Sequence, residues 1–162
     1  MSVSPSVRKA WAANGRVNGA LLAHLTPAMM GAQTPGGGYT VAQHLAEFIG
    51  TAQHWGSRFD EVRFETLPDP VLEYNPDTGV FVPETDLARL ADIQRQTETA
   101  ALEAAEAATD MGGSPHASPD AYLIHMMVHD AHHRGQVLLA LKTNGHPLPD
   151  EQSVWGPWKD EA

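Results

Sequence analysis

The sequence predicts an all-α fold: an up-down bundle of four helices with a long connection between the second and third helices. Three observations predict it. Apolar residues recur at helical spacing between 41 and 62. An alanine-rich segment of strong helix formers covers about 85–109. A long apolar segment follows a helix-capping signal at Ser118. Helices with such apolar faces are expected to pack together around one core.

The first predicted helix covers about residues 4–26. Its apolar residues fall on or near one face: Val7, Trp11, Val17, Leu21 and Leu25. The pairs Asn14-Gly15 and Asn18-Gly19 weaken this helix, because glycine within a helix costs about 1 kcal/mol relative to alanine. His24, near its end, is interpreted as a boundary residue.

The second predicted helix begins at a capping box, Thr40-x-x-Gln43, which follows a glycine-rich turn. Its core stripe has a 4-3-4-3 spacing and consists of Val41, Leu45, Phe48, Ala52, Trp55, Phe59 and Val62. His44 lies beside this stripe, so its side chain is expected to point inward or to the edge of the stripe. His54 lies elsewhere on the circumference and is expected to be exposed.

The connection between the second and third helices, residues 66–83, is too rich in proline for a long helix. Prolines occur at 68, 70, 76 and 83, and Asp77-Thr78-Gly79 indicates a turn. Long ordered connections often line a site or an interface. Its apolar residues Leu72, Tyr74, Val80 and Phe81 are expected to fold as a short hairpin or lid.

The fourth predicted helix has the clearest start and end. Ser118 is a good N-cap, Pro119 suits the first helical position, and Asp120 suits the positive end of the helix dipole. Asn144-Gly145 indicates its C-terminus. The tail, residues 148–162, carries Trp155 and Trp158 and is expected to pack over the bundle or a partner subunit, within a single domain of residues 1–162.

The composition excludes several classes of partner. The chain has 20 acidic and 10 basic residues, a net charge of −10, which repels phosphate backbones and anionic lipid. We therefore expect no nucleic-acid and no membrane partner. There is no cysteine, so a metal would be held by nitrogen and oxygen donors. The absence of a signal peptide and of an apolar run of about 20 residues predicts a cytoplasmic protein.

Histidines on the fourth helix suggest a metal site. His125, His129 and His133 recur at i+4 spacing, and residues four apart share a helix face with Cβ atoms about 5–6 Å apart. Two imidazoles on adjacent turns can thus reach one cation. A histidine on an apolar helix face is more often a hydrogen-bonded core residue, and Asp130 stands where zinc proteases carry a glutamate. A third ligand is needed to favour metal binding.

His44 can supply that ligand if the second and fourth helices face one interior. Three histidines, His44, His129 and His133, with an open fourth position form the arrangement of a reactive zinc site, where a bound water has a pKa near 7. Nickel, iron or manganese would also accept these donors. The distal ring N–H groups of such ligands need partners, and the nearest candidates are His125, Asp130 and Glu47.

Three features resemble the DinB/YfiT-like superfamily: His44 ahead of an aromatic-containing helix, the element His129-x-x-x-His133-Arg134-Gly135-Gln136, and Gly145-x-Pro147. The resemblance covers nearly the whole chain. It implies a four-helix bundle, usually dimeric, with a divalent metal held by histidines that match His44, His129 and His133. Characterised relatives include metal-dependent transferases and isomerases that use low-molecular-weight thiols such as bacillithiol or mycothiol.

The leading expectation is a metal-dependent enzyme, with zinc or nickel first and iron or manganese as alternatives. It would be a low-molecular-weight-thiol S-transferase that acts on a small-molecule substrate in stress response or detoxification. Two alternatives stay open: a non-catalytic metal-dependent sensor or stress-induced interaction protein, and a metal-dependent hydrolase. A homodimer is expected. Arg134 and Gln136 are interpreted as helix-packing or dimer contacts, and Gly135 as a point of close helix approach.

Overall fold

The computed structural model describes residues 1–159, and this part of the chain is mostly helical. Its helices are α1 (Pro5–His24), α2 (Val41–Ser57), α3 (Glu61–Phe64), α4 (Leu87–Ala107), α5 (Pro119–Thr143) and α6 (Glu151–Lys159), and a 3-10 turn covers Pro27–Met29. The strands β1 (Val71–Tyr74) and β2 (Phe81–Pro83) pair antiparallel. The predicted predominance of helix is confirmed, and the 66–83 connection contains the hairpin.

The two helix starts that the sequence predicts from capping residues are confirmed. At α2 the Thr40 hydroxyl accepts from the Gln43 amide at 3.2 Å, and the Gln43 side chain accepts from the Thr40 amide at 3.0 Å. At α5 the Ser118 hydroxyl accepts from the Ala121 amide at 3.1 Å. Both caps satisfy N–H groups that lack a partner within the helix. The helix that carries His44 and the helix that carries His129 and His133 therefore start at locally determined positions.

The contacts of α1 give its direction relative to α5. The Ser4 amide, at the start of α1, donates to Asp120 at 2.9 Å, and Asn14 donates to Asp130 at 2.7 Å. Contacts that advance together along both helices mean that α1 and α5 run in the same direction. An alternating up-down order needs these two helices to run in opposite directions, so the predicted alternation is not confirmed.

The other two long helices run the opposite way. The Tyr122 hydroxyl, near the start of α5, donates to the Ala52 carbonyl in the second half of α2 at 2.8 Å, so α2 is antiparallel to α5. Arg8 pairs with Glu106 near the end of α4 at 2.8 Å, so α4 is antiparallel to α1. A short turn would force α4 to reverse the direction of α2. The long connection with its hairpin removes that constraint.

The apolar stripe of α2 is buried from Val41 to Ala52. It packs against α4 and α5. The predicted extension of the stripe to Val62 is wrong, because α2 ends at Ser57 and Val62 lies on α3 with 74% of its surface exposed. The α2 face that contains His44 is thus held firmly against α5.

The tail packs against the bundle through α6. Helix α6 contacts α1, and Arg16 donates through Nε to the Pro157 carbonyl at 3.0 Å. Val154 is buried, whereas Trp155 and Trp158 stay 41% and 48% exposed. Residues 160–162 of the predicted tail lie outside the described part of the chain.

Gly56 lies where helix α2 meets the ring of Phe64. A Cβ at this position would lie 2.1 Å from Phe64 Cζ, and the ring is buried, so it must shift. We expect Gly56→Ala to lower the free energy of unfolding by about 1–3 kcal/mol, measured by urea unfolding.

Gly135 provides the matched control, since a Cβ there would meet no atom within 4 Å. The predicted close helix approach at Gly135 is therefore wrong. Gly135→Ala is expected to leave stability unchanged or to raise it by up to about 1 kcal/mol. Equal effects of the two substitutions would contradict the assignment of Gly56 as a packing glycine.

Candidate metal centre

The structure brings His44, His129 and His133 together between α2 and α5. His44 Nδ1 lies 3.0 Å from His133 Nδ1, and His133 Nε2 lies 3.3 Å from His129 Nε2. His44 and His133 are each only 6% exposed. These three residues, hereafter the histidine cluster, come from two facing helices, and two of them lie one turn apart.

His133 is the central member and presents a different ring nitrogen to each neighbour. Two nitrogens bound tetrahedrally to one zinc, with bonds of about 2.0–2.1 Å, lie about 3.3 Å apart, which matches the spacing between His129 and His133. Within residues 1–159, no three His, Asp or Glu side chains form a ready coordination set. A cation shared by all three rings therefore requires the side chain of His44 or His133 to rotate.

Two nitrogens of the histidine cluster are buried without a hydrogen-bond partner, His44 Nε2 and His129 Nδ1. A buried polar group in this condition costs about 1–3 kcal/mol, and folded proteins seldom leave one unsatisfied. The short contacts of the histidine cluster use the other nitrogens, His44 Nδ1 and His129 Nε2, so a cation would give His44 Nε2 or His129 Nδ1 a partner once that ring turns. Three imidazoles are also a suitable donor set for zinc, nickel or iron, so the residues present fit a divalent metal.

The histidine cluster is neutral at neutral pH. Burial, with repulsion from His132 second, lowers the pKa of His44 to about 4. Burial, with repulsion from His129 second, lowers the pKa of His133 to about 3. Burial also lowers the pKa of His129. Since neutral imidazole is the form that binds metal, protons compete weakly with a cation at this position.

Three residues were candidate hydrogen-bond partners for the ring N–H groups of the ligands, and in the structure their side chains have different partners or positions. Asp130 is buried but accepts from Asn14 and Asn18, so its carboxylate faces α1. His125 is exposed and pairs with His116. Glu47 lines a cavity, and burial raises its pKa. Among the hydrogen bonds within residues 1–159, none joins these three side chains to the histidine cluster.

Tyr39 and His132 contact the histidine cluster and were not predicted. The Tyr39 ring lies 5.5 Å from the His44 ring between centroids, and the His132 ring lies 5.2 Å from the His133 ring. Tyr39 directly precedes the N-cap Thr40, and a residue at that position commonly packs against the fourth helical residue, which here is His44. This packing rule for helix N-termini would have predicted the contact between Tyr39 and His44 from the sequence.

A cavity of about 680 Å³ lies farther along α2, between α2, α3 and the hairpin. Its wall includes Glu47, one turn after His44, and Phe81, whose ring meets the Tyr39 ring edge-on at 5.5 Å. Its volume is that of a small-molecule pocket. Four carboxylates line it: Glu47, Glu61, Glu65 and Asp69. This charge favours neutral or cationic ligands over anionic ones.

Comparison with known proteins gave one match. The family model described as DinB family matches residues 1–160. The comparisons with curated proteins and with solved structures found no match. Within residues 1–159, the helices lack the apolar length that crossing a bilayer requires.

Proposed function

The chain belongs to the DinB family, and on this premise we propose that it binds one divalent cation through His44, His129 and His133. The proposal includes a four-helix bundle built from α1, α2, α4 and α5. The observation that carries it is the histidine cluster: three neutral imidazoles from two helices, with His133 within 3.3 Å of each of the other two and two buried nitrogens unsatisfied. Zinc and nickel are the first candidates, and iron and manganese are alternatives.

The proposed activity is transfer of a low-molecular-weight thiol to an electrophilic small molecule, in stress response or detoxification. A bound divalent cation supplies Lewis-acid chemistry, which lowers the pKa of a coordinated thiol. The chain contains no cysteine, so the thiol must come from outside. Neutral His44, His129 and His133 hold the cation, and Tyr39 packs against the His44 ring.

The cavity beside α2 is the proposed place for the electrophile. Glu47 lies in its wall, and burial raises the pKa of this carboxyl, which suits exchange of a proton with a bound substrate. The carboxylates around it disfavour anionic molecules. A substrate without net negative charge is therefore expected to react fastest.

The proposal also includes a homodimer. An apolar groove of about 450 Å³ lies between α5 and α6. Its lining includes four partly exposed apolar residues, Ile124, Val128, Trp155 and Trp158. Exposed apolar surface of this kind is typical of contacts between subunits.

The test uses full-length protein purified without a histidine tag. Elemental analysis is expected to find about one equivalent more zinc or nickel in the wild type than in His133→Ala, and sedimentation of the wild-type sample reports whether it is a dimer. Bacillithiol, mycothiol and glutathione are each offered with a model electrophile. We expect turnover with at least one thiol, loss of turnover after chelation, and recovery when metal is restored.

The other outcomes separate the alternatives. Metal-dependent turnover of an ester or amide without a thiol would identify a hydrolase. Bound metal without turnover of any substrate would favour a sensor or interaction protein. If the histidine cluster takes up no metal, the proposed cation binding by His44, His129 and His133 is wrong, and the proposed activity falls with it.

A further inference from the structure

A second pair of histidines lies outside the histidine cluster. His116, in the connection between α4 and α5, has its Nε2 atom 2.8 Å from Nδ1 of His125. His125 is exposed and His116 is half-buried, so an ion in solution can reach them. The His125 ring lies 6.4 Å from the His129 ring between centroids. The His116–His125 pair and the histidine cluster therefore lie next to each other along α5 but share no residue.

His116 is held in place through its other ring nitrogen. Its Nδ1 atom lies 2.7 Å from the Ser114 hydroxyl oxygen, and this oxygen accepts from the His116 amide at 3.3 Å. The rings of Trp55 and Tyr122 meet the imidazole edge-on. Histidines that bind metals typically have the distal nitrogen fixed by an oxygen in this way. Here the arrangement directs Nε2 toward His125, and an ion that replaces the hydrogen bond would widen the 2.8 Å between the two nitrogens to about 3.3 Å.

We propose that His116 and His125 form a second cation site, which takes a divalent transition metal through His116 Nε2 and His125 Nδ1. Imidazole suits zinc, nickel and copper. Two protein ligands leave the remaining coordination positions to solvent, so this ion exchanges readily and binds more weakly than one held by three histidines. The site shares no ligand with the histidine cluster and does not depend on its function.

The test is a zinc titration of tag-free, metal-stripped protein against a chromophoric chelator. Wild-type protein is expected to bind two equivalents, the second more weakly. His125→Ala is expected to lose the weaker step, and His116→Ala to do the same. Because His125 is exposed, its substitution leaves the packing of α5 intact. His146→Ala, beyond the end of α5, is the control and is expected to keep both steps.

Two further variants test the details. Ser114→Ala is expected to weaken the second step about 10- to 100-fold, as loss of a partner that orients a ligand does. His133→Ala is expected to remove the tighter step and to leave the weaker one. Titrations in which His125→Ala and His116→Ala match the wild type would overturn the second site, and the pair would then be only a hydrogen bond. Loss of zinc binding in His125→Ala but not in His133→Ala would support the second site and overturn the proposed function.

Discussion

Substitution of His133 by alanine is expected to abolish tight cation binding by the histidine cluster. His133 is the residue that contacts both others, at 3.0 Å to His44 and 3.3 Å to His129. Its removal takes away one ligand and leaves the other two without a common neighbour. Loss of a residue that merely orients a ligand weakens binding about 10- to 100-fold. Loss of the ligand itself is expected to raise the dissociation constant by more than about 100-fold.

The measurement compares urea unfolding with and without zinc, in a His125→Ala background that removes the second proposed site. Zinc at about 100 times its dissociation constant should stabilise the parent protein by about 2.7 kcal/mol. At the same concentration His133→Ala should show almost no stabilisation. The control is His132→Ala, an exposed neighbour whose ring lies 5.2 Å from that of His133. Equal stabilisation of His133→Ala and its parent would show that the histidine cluster is not the binding site.

The sequence predicted those parts of the structure that local interactions determine. The caps at Thr40 and Ser118 each depend on residues three positions apart, and the shared face of His129 and His133 follows from helix geometry alone. The meeting of His44 with His133 spans 89 positions. That contact was inferred from a common bundle interior, and the family resemblance implied it as well.

The direction of α4 could not be predicted in the same way. It depends on the path of the connection between α2 and α4. No local sequence pattern specifies whether the helix after a long connection runs parallel or antiparallel to the helix before it. The hairpin itself is visible in the sequence as a turn between apolar residues. Its effect on the direction of α4 is seen only in tertiary contacts such as the ion pair of Arg8 with Glu106.

The asparagines of α1 were interpreted from helix propensity, and their tertiary role was missed. Asn14 and Asn18 are buried, at 1% and 0% exposure, and both donate to Asp130, at 2.7 and 2.9 Å. Their side-chain oxygens accept from Arg134 Nη1. Each amide thus satisfies a carboxylate and a guanidinium at once. The interpretation of Arg134 as a helix-packing residue agrees with this contact.

Removal of Arg134 is expected to be the most damaging single change to stability. Arg134 is 5% exposed and Asp130 is 3% exposed, one turn apart on α5. Arg134→Met keeps a long side chain but leaves the Asp130 carboxylate buried without a cation. The two charges are linked through Asn14 and Asn18. Leaving one of two compensating buried charges ionised costs about 3–5 kcal/mol, and urea unfolding of the metal-free protein near about pH 8, where Asp130 is ionised, measures it.

The double variant Asp130→Asn/Arg134→Met separates charge from packing. With both charges removed, most of the loss is expected to be recovered, because a buried pair replaced as a whole is often neutral for stability. A double variant as unstable as Arg134→Met would show that the guanidinium acts through packing. An Arg134→Met protein within about 1 kcal/mol of the wild type would contradict a role for the pair.

The loss in free energy of unfolding caused by Arg134→Met should also depend on pH. The direction of that dependence follows from the ionisation of Asp130. Burial raises the pKa of this carboxyl from 3.8 to about 6, although Asn18, Asn14 and Arg134 act to lower it. The folded protein therefore holds the proton more tightly than the unfolded chain. The stability that this proton contributes is present below pH 3.8 and is lost as the pH rises through about 6. Without Arg134 the pKa rises further, so the destabilisation should be larger near about pH 8 than near about pH 5. An equal loss at both values would mean that Asp130 does not need the cation.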